Sequence, residues 1–299
     1  MKFVYGKQDW KTFERGEENC FLMTNGLGGF SSLTMIGSCG RNDHAVLMAC
    51  VHSPNHRYNM IHRLEEILSV GEEAVCISSQ DYLDRTKEQG YLYQTKFTYE
   101  DYPQWTYLVK GIEIVRTMVL AQGENSVGIT YEIRNRSGEE AVLEVYPHLE
   151  FVPKGALLSE EQEFVLEEGK ISSNGQTLHF WTDGSLCELP LTFRDGLHYA
   201  YDECDGRREK GRTAVNHKIS VRVAAESAGS LQMVYGMMPK LSGPREMMEE
   251  VRRYRKALRE KAGFGDETAQ TLAAAAGQFI SYRSSTAKQT ILAGFPFFE

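Results

Sequence analysis

The sequence lacks a recognisable signal peptide and long apolar segments. Its first ten residues, MKFVYGKQDW, lack the apolar central run and the small-residue cleavage site of a signal peptide. Apolar stretches stay shorter than the roughly 18 residues that a membrane-spanning helix needs. We therefore expect a cytosolic protein without a membrane partner.

Cysteine pairs and the common nucleotide and metal motifs are also missing. The six cysteines are scattered without CxxC spacing, so we expect free thiols in a reducing cytosol. The chain contains no P-loop, no HExxH, no zinc-type Cys/His spacing and no GxSxG elbow. The glycine cluster at 25–30 does not follow GxGxxG, and we interpret it as a tight turn. We predict neither a cofactor nor a metal.

Positive charge is in short supply. The chain has 33 Lys and Arg against 41 Asp and Glu, which gives a net charge of −8. Nucleic-acid binding requires a basic face that displaces counterions, so we predict no nucleic-acid partner. A neutral sugar polymer remains compatible with this charge.

A pair of catalytic carboxylates is not evident. Glycoside hydrolysis needs two carboxyl groups set across one sugar ring. Neighbouring side chains on a strand point to opposite faces, so two adjacent acidic residues cannot flank one bond. The acidic residues of this chain form such adjacent pairs, at Glu65-Glu66, Glu72-Glu73, Glu160-Glu161 and Glu167-Glu168.

Short β-type runs dominate the chain between Phe21 and Pro239. They are rich in aromatic and β-branched residues and are separated by turn residues. Asn174-Gly175, between two apolar runs, is the clearest hairpin signal. Many strands without intervening helices predict a mainly β chain, folded as one large antiparallel two-sheet sandwich. The clearest runs are 91–99, 112–120, 127–133, 141–149, 178–181, 218–224 and 231–237.

The pattern changes to helical spacing near Leu241. Pro244 is suited to the first turn of a helix, and Asp266 is suited to cap a second helix that runs toward Phe279. The final residues, 283–299, end in an aromatic run, which suggests a chain that was longer. The first helix is amphipathic, with apolar residues at Met247, Val251, Tyr254 and Leu258.

Three segments together resemble the bacterial and archaeal type of glycogen debranching enzyme, which is amylo-α-1,6-glucosidase-like. TNGLGGFSS at 24–32 resembles the opening NGLGGY/F-A/S-S motif of that family. RNDHAVLM at 41–48 lies where the family has R-x-Y-H-G-L-L. AGFPFF at 293–298 is similar to AGYPWF, which in the family leads directly into the DWGRD segment of the catalytic barrel. With weaker matches between them, the resemblance covers nearly the whole chain.

The resemblance implies a division into three parts. Residues 1–240 would form a β-supersandwich of the galactose-mutarotase kind, 241–282 a helical linker, and 283–299 the start of a truncated (α/α)-barrel catalytic domain. The catalytic acids would lie beyond Glu299, and the fragment alone would be inactive. The implied partners are the protein's own C-terminal catalytic domain and an α-glucan such as glycogen or a maltooligosaccharide.

The resemblance and the residue chemistry together suggest four candidate sugar contacts. Asn and Arg can hydrogen-bond to sugar hydroxyls, and Trp can stack on the apolar face of a sugar ring. The second motif departs from the family, because Asp43 and Ala45 replace its Tyr and Gly. The candidate residues are Asn25, Arg41, His44 and Trp105.

Two other functions stay open. A stand-alone isomerase of the aldose mutarotase kind would have a similar sandwich and would need a His and a Glu as acid and base. His148 and Glu150 are the candidates for that pair. The other alternative is a non-catalytic carbohydrate-binding module.

Overall fold

A computed structural model describes residues 1–296 of the 299-residue chain. The chain is mainly β, and its longer helices come late, as the sequence predicted. The α-helices are α1 (Phe13–Glu17), α2 (Ala200–Cys204), α3 (Pro244–Ala262) and α4 (Glu267–Ala276). The strands are β1 (Phe3–Gly6), β2 (Met23–Thr24), β3 (Phe30–Ser32), β4 (Ala45–His52), β5 (His56–Val70), β6 (Glu73–Cys76), β7 (Ser79–Gln80), β8 (Glu88–Gln89), β9 (Gln94–Tyr99), β10 (Pro103–Val109), β11 (Ile112–Leu120), β12 (Ser126–Asn135), β13 (Ala141–Pro153), β14 (Val165–Glu167), β15 (Lys170–Ser173), β16 (Gln176–Thr182), β17 (Ser185–His198), β18 (Lys210–Val223), β19 (Ser227–Gly236), β20 (Ile280–Arg283) and β21 (Lys288–Ile291).

Two large antiparallel sheets form the sandwich. The nine-stranded sheet has the order β1-β9-β10-β11-β12-β19-β16-β15-β14. The eight-stranded sheet has the order β17-β18-β13-β5-β4-β3-β2, with β6 paired to β5. Two small hairpins, β7-β8 and β20-β21, lie outside these sheets. The predicted antiparallel two-sheet sandwich is therefore confirmed.

Alternation along the strands places the core between the sheets. On β13, Ala141, Leu143 and Val145 are fully buried, whereas Val142 and Glu144 between them are only half-buried. Burying one such aliphatic side chain contributes about 1.5–3 kcal/mol, so many strands together stabilise the sandwich. The predicted hairpin is also present, because β15 and β16 join through a left-handed turn at 174–175.

A buried ion pair joins the two sheets at the centre. Arg116 of β11 donates from Nη1 to Glu66 of β5, with distances of 2.7 and 2.9 Å to the two carboxylate oxygens. The Tyr131 hydroxyl donates to the same carboxylate at 2.7 Å. The Arg116 guanidinium also lies over the Trp105 ring, 4.0 Å from its centroid. All four side chains are buried, so this central network depends on its own partners rather than on water.

The two late helices are close to the predicted positions. Pro244 begins α3, and the Asp266 carboxylate caps α4 by accepting from the Ala269 amide at 2.8 Å. Helix α3 packs on the outer face of the nine-stranded sheet at Gly128, where an added Cβ would lie 3.0 Å from Met247 Sδ. The division into domains at 240 and 282 stays a prediction. Among residues 1–296, no helix is both long and apolar enough to cross a bilayer.

Candidate functional site

The glycine-rich segment forms a turn that Asn25 holds together. The Asn25 Oδ1 accepts from the amides of Leu27 and Gly29 at 2.9 and 3.0 Å. Its Nδ2 donates to the Glu124 carbonyl and to Asn125 Oδ1, both at 2.9 Å. Since Asn25 is fully buried and bonded through both side-chain atoms, the structure assigns it to turn geometry rather than to an open sugar subsite.

Gly28 allows the backbone of this turn to lie directly against the β4-β5 hairpin. Gly28 has a φ of +97°, which disfavours side-chain-bearing residues. A Cβ at this position would lie 2.1 Å from the Pro54 carbonyl oxygen. The sequence prediction of a tight turn at 25–30 is therefore confirmed.

Trp105 lies in the core. It is fully buried, its Nε1 donates to the Met35 carbonyl at 3.0 Å, and it packs against Phe21 and Phe97 with centroid distances of 5.5 and 5.3 Å. Stacking on a sugar requires an exposed ring face. The structure therefore corrects the suggested stacking role, since β10 points this side chain between the two sheets.

Arg41 is tied to acidic residues from a distant part of the chain. Its Nη1 donates to Asp202 at 3.2 Å and to Asp205 at 2.6 Å, and the guanidinium lies over the Tyr201 ring. No local signal predicted these partners, because they are about 160 residues away in sequence. Its side chain is only 15% exposed, so contact between Arg41 and a sugar stays a prediction.

His44 is a buried, neutral side chain. The Gly40 amide donates to its Nδ1 at 3.1 Å, which leaves the proton on Nε2, 3.6 Å from Cys20 Sγ. Burial, with the positive charge of Arg41, lowers the pKa of His44 to about 3. Sugar contact by His44 also stays a prediction, and the structure gives the side chain a local bonding role.

The three motifs meet in space at one edge of the eight-stranded sheet. Phe295, from the last motif, packs edge-on against Phe30, from the first motif, with ring centroids 5.5 Å apart. Ala45 and Met48, from the second motif, belong to the same small buried cluster. The Arg57 guanidinium lies 4.9 Å from the centroid of the Phe295 ring. We call Phe30, Ala45, Met48, Arg57 and Phe295 the junction cluster.

Hydrogen bonds attach the C-terminal segment to the same edge. The Tyr282 amide donates to the Gly26 carbonyl at 2.8 Å, and the Thr24 hydroxyl donates to the Gln278 carbonyl at 2.9 Å. The Ser53 hydroxyl donates to the Tyr282 carbonyl. The end of the third motif, at 297–298, lies outside the described residues. The motifs are far apart in the sequence, so no local signal predicted that they form one site.

The acid-base pair suggested for an isomerase is not formed as predicted. His148 Nε2 lies 3.1 Å from Glu65 Oε2, and His148 Nδ1 lies 2.7 Å from the Thr213 hydroxyl. Glu150 instead faces His62, at 3.3 Å. Burial lowers the pKa of His148, so the pair is best described as a neutral imidazole beside a carboxylate.

The ionisation of Glu65 follows from its surroundings. Burial raises the pKa of the Glu65 carboxyl, but the His148 hydrogen bond and the nearby charges outweigh burial and lower it to about 2. Glu150 behaves in the opposite way, because burial raises its pKa well above the usual range. Glu150 and its neighbours His62 and Tyr199 are enclosed in the interior. Enclosure of these groups leaves them little access to a sugar.

The described residues offer little metal chemistry. No group of three or more His, Cys, Asp or Glu side chains that could hold a metal ion occurs within residues 1–296. His52 and His56, four apart around a proline, face each other edge-on with centroids 5.7 Å apart.

Two stacked antiparallel sheets with a C-terminal segment bound at one edge define a large β-sandwich domain. A family model described as Glycogen debranching enzyme N terminal matches residues 19–228, more than two thirds of the chain. The chain therefore belongs to this family, as the resemblance implied. The comparison with curated proteins found no match.

Similar solved structures include two much longer proteins. One is described as a kojibiose phosphorylase from the human microbiome, with 8% identity, a TM-score of 0.39, and coverage of 91% of this chain and 37% of that chain. The other is a bacterial glucoamylase complexed with acarbose, with 10% identity, a TM-score of 0.30, and coverage of 91% and 40%. The chain thus spans less than half the length of either protein.

Proposed function

We propose that this chain is the amino-terminal domain of a glycoside hydrolase that removes α-1,6 branches from glycogen or a related α-glucan. In this proposal the sandwich supports a C-terminal catalytic domain and helps to shape its substrate cleft. The family match over residues 19–228 is the observation that carries the proposal.

The junction cluster supports the proposed scaffolding role. Phe295 is 6% exposed and sits against Phe30, so the backbone leaves the sandwich from a defined point. Packed interiors have few voids, and a residue in such a cluster has little freedom to shift. A domain that follows Phe295 would therefore start at a fixed position relative to the eight-stranded sheet.

Glucose release from a branched α-glucan tests the proposal. The 299-residue chain should release none, because the proposal assigns the catalytic acids to a following domain. The product of the entire reading frame, including any sequence after Glu299, should release glucose. Glucose release by the 299-residue chain would contradict the assignment of the catalytic acids to a following domain. Absence of glucose release by the longer product would contradict the hydrolase assignment.

The proposal includes a cytosolic location. All six cysteines are free thiols among the described residues, which fits a reducing compartment. Fractionation of the source cells with an antibody against this chain tests the location. Recovery in an extracellular fraction would contradict it.

A further inference from the structure

A row of neutral polar side chains crosses the outer face of the nine-stranded sheet. Strand pairing places its members directly opposite one another on β9, β10, β11, β12 and β19, so they share one face. With about 4.8 Å between strands, the row is about 19 Å long. We call this set the polar row, and its members are Thr98, Gln104, Thr117, Thr130 and Gln232.

Helix α3 covers the neighbouring row and leaves the polar row at the edge of a groove. The covered row consists of Val119, Gly128 and Val234, which pair with one another across β11, β12 and β19. Met247 of the helix is buried against this apolar row. Between the helix and the polar row lies an open groove of about 350 Å³. This volume lies within the size range of sites for small ligands.

The groove has balanced charge. Arg245 and Arg252 line it together with Glu132 and Glu249, so two positive side chains face two negative ones. A charged ligand would gain little from such a surface, because attraction to one pair is offset by repulsion from the other. The groove therefore favours a neutral ligand that uses hydrogen bonds.

Hydroxyl groups in the groove are available for such bonds. Thr130 and Ser230 line the groove, and within residues 1–296 neither side chain forms a hydrogen bond to the protein. Gln104 is held in place, since its Nε2 donates to the Thr117 hydroxyl at 3.1 Å and its Oε1 accepts from the Thr98 hydroxyl at 3.4 Å. Thr98 and Thr117 are buried, so the side chains that offer groups to the groove are those of Thr130, Ser230 and Gln232. Hydroxyl and amide groups both donate and accept, which matches the hydroxyls of a sugar.

An exposed indole lies near one end of the polar row. Trp181 of β16 is paired with Val234 of β19, so it occupies the same outer face and is diagonal to Gln232. Diagonal neighbours of this kind are about 7–8 Å apart, which is within reach of a large aromatic side chain. Trp181 is 48% exposed, so its ring offers a flat apolar surface to a ligand.

We propose that the polar row and Trp181 form a binding site for an extended neutral oligosaccharide, specifically a linear α-glucan segment. The indole stacks on the apolar face of one sugar ring, and the Thr130 and Ser230 hydroxyls, with Gln232 Oε1, hydrogen-bond to hydroxyls of the following rings. Thr98, Gln104 and Thr117 bond to one another and form the floor beside them. The choice of an α-glucan rests on the proposed function. The site binds without reacting and lies on the opposite sheet from the junction cluster.

Titration calorimetry of the 299-residue chain with maltoheptaose tests the site. The wild-type chain should show saturable binding. Trp181→Ala should weaken binding by at least about tenfold, as expected for removing the aromatic side chain that stacks on the sugar. Thr130→Val, which removes one hydroxyl and keeps the side-chain shape, should weaken it by about fivefold.

Two control variants separate binding from folding. Thr177→Val makes the same change on the outer face of the same sheet, outside the groove, and should leave the dissociation constant unchanged. Trp181→Phe keeps a ring and should retain most of the binding. The Trp181 and Thr130 variants should unfold at the wild-type midpoint temperature in a circular dichroism melt. Thr177→Val also loses the 3.1 Å hydrogen bond between the Thr177 and Ser172 hydroxyls, so its midpoint should fall slightly while its dissociation constant stays unchanged.

Three results would overturn the proposal. These are no heat with maltoheptaose, equal weakening by Thr177→Val and Thr130→Val, or equal binding of a β-1,4-linked glucan of the same length. The hydrolase assay on the longer gene product is independent of this measurement. Loss of glucan binding with intact hydrolysis would reject only this site, and binding without hydrolysis would reject only the proposed function.

Discussion

Two charged networks in this molecule use the same kinds of residues in different surroundings. At the sandwich centre, Arg116 and Glu66 are 2% and 0% exposed. Beside the second motif, Arg41 is 15% exposed and shares its charge between Asp202 and Asp205. Desolvation makes a buried charge costly once its partner is removed, whereas water screens a partly exposed one. The difference shows that the central pair joins the sheets while the outer pair fastens a loop.

The largest expected effect comes from breaking the central pair. Glu66→Gln leaves the Arg116 charge buried without a counterion, and we expect the free energy of unfolding to fall by about 4 kcal/mol. Urea denaturation measures the change. Glu113→Gln, on the exposed side of β11, is the matched control and should change stability by less than about 0.5 kcal/mol. A loss of similar size in both variants would contradict the importance of burial.

The junction cluster should respond almost as strongly. Phe295→Ala removes a ring that packs on Phe30, and we expect a loss of about 3 kcal/mol, the low end of the range for phenylalanine. Phe264→Ala removes an exposed ring and serves as the control. Urea denaturation of both variants checks the difference. Equal stability of Phe295→Ala and wild type would mean that the C-terminal segment is not anchored by this cluster.

Histidine burial near Arg41 should make stability depend on pH. Burial lowers the pKa of His44 to about 3 in the folded chain, against an ordinary value of 6.5. Between these two pH values, His44 is protonated in the unfolded chain and neutral in the folded chain. The free energy of unfolding is therefore unaffected by this histidine above pH 6.5, and it decreases as the pH falls from 6.5 toward 3. His44→Gln should reduce the slope of unfolding free energy by about 1.4 kcal/mol per pH unit between pH 5.5 and 4. Denaturation curves at several pH values measure this, and an unchanged slope would contradict a neutral buried imidazole.

The outer ion pair should give the smallest effect. Arg41→Met removes the charge but keeps much of the side-chain length, and we expect a loss of about 1–2 kcal/mol. The loss is smaller than for Glu66→Gln because the nearly buried Asp202 keeps its bond to the Asn42 amide and Asp205 is 38% exposed. Raising the salt concentration should reduce the difference from wild type, because salt screens exposed charges more than buried ones. Urea denaturation at low and high salt checks both points. A loss as large as that of Glu66→Gln would erase the distinction between the two networks.

Much of the fold was predictable because its signals are local. The runs at 112–120 and 127–133 became the central strands β11 and β12, since β-branched residues and alternation favour a half-buried sheet. Pro244 and Asp266 marked the late helices through their preferences for helix starts. The order of strands was not predictable, because β12 pairs with β19 about a hundred residues later.

The candidate site was less predictable than the fold. Asn25 and Trp105 were chosen for chemistry that sugars require, but both are buried and bonded inside the protein. His148 was matched with Glu150 because they are close in sequence, yet its carboxylate partner is Glu65, 83 residues away. Residue type indicates what a side chain can do. Its exposure and its partners depend on how distant strands align.

The sequence by itself determined the alternation that makes strands, the turn at Asn174-Gly175, the two late helices and the family. The tertiary structure alone decided that the first and last motifs meet at Phe30 and Phe295, and that five neutral polar residues align across five strands. The physical reason is the range of the interactions. Turn and helix preferences act over a few residues, whereas sheet register joins residues up to 110 positions apart, as at Ser126 and Gly236, and core packing joins Phe30 to Phe295.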